Sequence, residues 1–93
     1  MILRQLIDFE KRAHKVFAKE CWMELESYQR TPTPMEIKRT CFDYYTYLMG
    51  AASILLGEDV DLEFPPEELC NFATSKTISL IDEMSKHYGG TTA

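Results

Sequence analysis

The chain's four prolines fall in two pairs, Pro32/Pro34 and Pro65/Pro66, and each pair stops any helix that reaches it from the N-terminal side. They divide 93 residues into three stretches, each with apolar side chains three and four apart, the spacing of an amphipathic helix. In the first stretch Ile2, Leu6, Phe9, Ala13, Val16 and Phe17 recur with no Gly or Pro between them, which predicts a helix over about 2–28. The second opens on Thr33-Pro34-Met35-Glu36. Thr33 can cap, Pro34 suits the first turn and Glu36 completes a capping box. That helix is predicted over about 34–56, through Ile37, Cys41, Tyr44, Tyr45, Leu48, Ala52 and Leu55, with Gly57 as its C-terminal cap. Its wide apolar surface marks it as the central helix.

The third stretch begins in "EDVDLEFPPEEL", residues 58–69, with six acids in twelve residues. Aligned with a calcium loop, Asp59, Asp61 and Glu63 would be ligands. The obligatory glycine is then Phe64 and the final glutamate is Cys70, so calcium is not expected. Pro65 and Pro66 suit a helix start, and Glu67 and Glu68 follow where the helix dipole favours carboxylates. Upstream, Val60, Leu62 and Phe64 alternate with acids. An extended segment would turn the apolar set to the bundle and the acids to water. The helix itself is predicted over about 66–88, with Leu69, Ala73, Leu80, Met84 and Tyr88 as its stripe, Cys70, Thr77 and Ile81 beside it, and Gly89-Gly90 at its end. The fold class expected is all-α: a compact three-helix bundle with antiparallel neighbours, one domain over 1–93, its small core open to completion by dimerisation.

Composition narrows the setting. Three cysteines, Cys21, Cys41 and Cys70, are an odd number with no C-x-x-C pair, so buried reduced thiols are expected rather than a disulfide framework. The start of the chain lacks a signal-peptide pattern, and the longest uncharged run, 44–57, is too short to cross a bilayer. A cytoplasmic protein with no membrane role is expected. Net charge is −5, divided as +1 over residues 1–57 and −6 over 58–93. The balance disfavours nucleic-acid binding by the whole protein and fits a basic protein partner, or a protein that itself acts on nucleic acid.

Several constellations point toward function. On the first helix Arg4, Lys11, Lys15 and Lys19 lie opposite the apolar stripe, and Trp22 falls among the lysines, a pattern suited to a contact anchor. With the acids Glu58, Asp59, Asp61 and Glu63 they form the expected partner-binding set. The small residues Thr46, Gly50, Ser53 and Gly57 make a smooth strip on the second helix, for close packing within the chain or against a second copy. Thr46, Gly50 and Ser53 are the dimer-interface candidates. Glu20 and Glu24 lie one turn apart. With Glu58 and Asp61 they are the only carboxylates patterned for a metal-dependent hydrolase, and Glu-x-x-His is absent. Glu10/His14 and Glu83/His87 would meet at a zinc site if helices one and three ran antiparallel and aligned.

No phosphate-loop, nucleophile-elbow or H-E-x-x-H motif is present. The function expected is therefore a non-catalytic protein-interaction module, requiring no cofactor or metal, that inhibits or regulates its partner. The chain is similar in size and charge alone to small viral, phage-encoded inhibitors of host or defence enzymes. The alternatives are the metal-dependent hydrolase and a weak nucleic-acid binder through Lys11, Lys15, Lys19 and Trp22.

Overall fold

The computed structural model describes residues 3–57, 63 and 65–88. Its elements are three α-helices, α1 (Arg4–Glu26), α2 (Pro34–Leu55) and α3 (Glu67–His87), packed as a three-helix bundle. α2 and α3 carry the punctuation that their sequence dictates. At α2 the capping box forms: the Glu36 amide donates to Thr33 Oγ1 at 3.2 Å, and the Thr33 amide donates to Glu36 Oε1 at 2.8 Å. Gly57, with φ +61, stands just past the end of α2 in the left-handed region. α3 carries Glu67 and Glu68 in its first turn and Lys86 and His87 in its last, both favourable to the helix dipole. α1 ends two residues before the expected position, because the chain turns at Ser27–Gln29 and Gln29 takes φ 58. Ile2, Val60, Leu62, Phe64 and Gly89-Gly90 lie outside the described residues.

α2 is central, as its broad apolar surface implies. It packs along both neighbours, whereas α1 and α3 barely meet. The core joins Leu6, Cys21 and Leu25 of α1 to Ile37, Cys41, Tyr44 and Leu48 of α2, and to Leu69, Leu80 and Met84 of α3. Phe9, Phe17, Tyr44 and Tyr47 stack between α1 and α2, with Phe17 and Tyr44 centroids 4.7 Å apart. Cys21 and Cys41 are buried and Cys70 half-buried, all as free thiols. Contact with Cys41 and then burial push the Cys21 thiol well above its ordinary range.

One face differs from expectation. Val16, placed in the stripe of α1, is 62% exposed, while Glu10 is only 4% exposed. The inward face of α1 lies about a quarter turn round from the expected one. It runs through Leu6, Glu10, Ala18, Cys21 and Leu25. A count of apolar residues favours the other face, because this one carries a carboxylate.

Candidate functional site: the seam between α1 and α3

Cross-helix contacts show how the bundle runs. Along α1 the residues Glu10, His14, Trp22 and Glu26 meet, in the same order, Lys76, Glu83 and His87 of α3 and Tyr88 just past its end. α1 and α3 are therefore parallel, as an up-down-up bundle requires. Because their backbones stay apart, they leave an open groove of about 940 Å³ floored by Ala18 and Met84 and flanked by Trp22, Met23, Lys15 and Lys19.

At one end of the seam Glu10 is held from three sides. Tyr44 of α2 donates its hydroxyl to Glu10 Oε2 at 2.7 Å, His14 Nδ1 lies 3.0 Å from the same oxygen, and Lys76 Nζ stands 3.9 Å from Oε1. His14 Nε2 lies 3.1 Å from Glu83 Oε1, so the imidazole spans α1 and α3. Among the described residues no buried side-chain nitrogen or oxygen lacks a partner, so the carboxylate sits in the core without an unmet hydrogen bond. Burial first, then the hydrogen bond to Glu10, pushes the Tyr44 phenol well above its ordinary range.

At the other end Trp22 is 43% exposed. Its indole N–H donates to Glu26 Oε1 at 2.7 Å, and its ring lies 4.1 Å from that of His87. The Tyr88 hydroxyl donates to the same Glu26 oxygen at 3.0 Å. The bond from Trp22 and then that from Tyr88 hold the Glu26 carboxyl below its usual range, with His87 adding to the effect. Burial first, then the bond to Glu26, pushes the Tyr88 phenol up to about 12.

The candidates read from the sequence are partly assembled here. Lys15, Lys19 and Trp22 line one groove. Lys11 is exposed on the same helix. Of the acidic set, Glu63 is exposed, and Glu58, Asp59 and Asp61 lie outside the described residues. Thr46, Gly50 and Ser53 line a second cavity of about 580 Å³ with Phe9, Tyr47 and Ile54. A Cβ at Gly50 would meet nothing within 4 Å among the described residues, so the strip is not explained by close packing within them.

Glu20 and Glu24 are both exposed. Glu24 accepts from Thr40 Oγ1 at 3.0 Å. The four-residue zinc arrangement does not form, because α1 and α3 are parallel: His14 meets Glu83, and His87 is carried along to Trp22. Among the described residues no three His, Cys, Asp or Glu side chains converge as metal ligands would. The sequence reading missed the joining of Glu10 to Tyr44. A signal was present, since Glu10 sits one turn after Leu6 on the face that Cys21 and Leu25 continue.

No family model, no curated protein and no solved structure matches the chain.

Proposed function

We propose that this protein is a non-catalytic interaction module that regulates or inhibits a partner by holding an acidic amphipathic helix of it in the α1–α3 groove. The observation that carries the reading is the composition of the groove. Its hydrogen-bonding groups are largely committed to one another: His14 to Glu10 and Glu83, Glu26 to Trp22 and Tyr88. The carboxylates Glu26 and Glu83 also line it, but they are engaged by Trp22, Tyr88 and His14; what is left uncommitted at the opening is apolar or cationic: the floor of Ala18 and Met84, the exposed Trp22 and Met23, and Lys15 and Lys19, which form no ion pair among the described residues. Apolar anchors in a groove give affinity, and unpaired lysines on its lip select a partner segment flanked by carboxylates.

The test is a set of helical peptides with one apolar face and either acidic or basic flanks, titrated by calorimetry into the native chain and its variants. Acidic-flanked peptides bind at least about tenfold tighter, Trp22→Ala loses that affinity, and Lys15→Glu with Lys19→Glu inverts the preference. Indifference to flank charge, or chemical-shift changes confined to another face, overturns the reading. Single-stranded DNA that binds instead, with steep salt dependence, would favour the nucleic-acid alternative.

A second reading is favoured by one observation. The Thr46–Gly50–Ser53 strip lies open beside Ile54, which is 82% exposed, and residues 44–57 carry no charge. A neutral surface meets a copy of itself without repulsion, as a two-fold interface must. A second copy of this chain is its proposed occupant.

A further inference from the structure

The chain has two histidines, and both stand on the α1–α3 seam beside a glutamate. His14 lies between Glu10 and Glu83; His87 lies against Trp22, whose indole N–H holds Glu26. Elsewhere the two helices hardly touch.

The hydrogen bonds of His14 imply a proton count. A neutral imidazole has one N–H and one bare nitrogen. Here Nδ1 is 3.0 Å from a Glu10 oxygen and Nε2 is 3.1 Å from a Glu83 oxygen. With two ionised carboxylates, one contact would set a lone pair against an acceptor. The arrangement therefore needs one proton more than a neutral imidazole and two carboxylates carry. Glu10 is buried and also accepts from Tyr44, whereas the Glu83 side chain is half exposed. Glu83 is thus the group free to leave when the proton goes.

We propose that the seam is a proton-operated clasp. With the extra proton in place, His14 ties α1 to α3 and a cationic His87 lies against the Trp22 ring beside Glu26. On its loss Glu83 turns to water, the His87–Trp22 contact weakens, and the groove opens. The charged and titratable groups facing His14 are Glu10 on α1, Tyr44 on α2, and Glu83 and, across Glu10, Lys76 on α3. Those facing His87 are Glu26 on α1 and Tyr88, the residue that follows α3. Lys76 offsets one negative charge, so loss of the proton leaves the His14 cluster with a net negative charge around a buried carboxylate. The closed seam binds more protons than the open one, so acid closes it and rising pH opens it. The clasp deepens the groove reading as its regulation, but its own evidence lies in the free protein.

Two measurements on the free protein test it, with no peptide present. Trp22 is the chain's single tryptophan and touches His87, so its emission reports that end of the seam. Emission should rise between about pH 5.5 and 8.5 as the quenching imidazolium is lost, and the step should vanish in His87→Gln. Amide hydrogen exchange, corrected for intrinsic base catalysis, should quicken roughly fivefold over the same range in residues 80–88 and stay level in residues 41–52.

The exchange step should be abolished in His14→Gln. If that variant loses helix content, Glu83→Gln takes its place. Its amide can donate to a bare Nε2, so the seam should stay closed at every pH in the window. Flat exchange in the native chain, or an unchanged pH step in both the His14→Gln and Glu83→Gln variants, overturns the clasp. Failure of peptide binding alone would count against the groove reading and leave the clasp standing.

Discussion

Tyr44 is among the largest fully buried side chains, and its hydroxyl is the donor that lets Glu10 stay in the core. Tyr44→Phe keeps the ring packing on Phe17 and removes one partner from the carboxylate. The expected cost is about 1–3 kcal/mol in urea unfolding, the usual penalty for leaving a buried polar group short of a hydrogen bond. In a Glu10→Gln background the same change should cost less, since a neutral amide needs the hydroxyl less than a carboxylate does. An additive pair would mean that the two groups do not act together. The sequence shows Tyr44 on the core stripe of its helix, and that placement holds. It shows Glu10 only as one polar residue on an amphipathic helix, because what makes its burial tolerable lies 34 positions away.

At the scale of the element, the start of α2 is the best-defined local structure, and nearly all of it is visible in the four residues Thr33-Pro34-Met35-Glu36. Arg30 adds a two-pronged pair to Glu36, at 2.7 and 2.6 Å, which the capping-box pattern does not include. Thr33→Ala should cost about 1 kcal/mol, read as a lower unfolding midpoint. The Arg30 pair first, then the Thr33 amide, draws the Glu36 carboxyl down to about 2. Its folded value lies below the unfolded value of about 4.3, so its stabilisation is present above that pH and lost as the pH falls toward about 2. The stability gap between the native chain and Glu36→Gln should therefore narrow steadily between about pH 6 and pH 2. A gap independent of pH would show that the ion pair contributes nothing in solution. α1 lacks such a start: Leu3 supplies no cap and the first turn has no acid. The inward face of α1 is set by α2 and α3 rather than by its own pattern, which is why Val16 is exposed.

For the whole molecule, the central position of α2 decides what is left over. One consequence is the loosely closed α1–α3 seam; the other is the neutral outer strip at Thr46, Gly50 and Ser53. If a second copy covers that strip, sedimentation should show a concentration-dependent dimer. Ser53→Glu, which sets two like charges across the two-fold axis, should weaken association by about tenfold or more. A monomer at every concentration would end the second reading. The sequence by itself determined three helices, their order and the breaks between them, because prolines, capping residues and helical spacing act within a few residues of one another. Only the tertiary structure decided that α1 and α3 run parallel and that Glu10 turns inward beneath Tyr44. It also brought both histidines to one seam, since each of these depends on side chains distant in the chain meeting at one place.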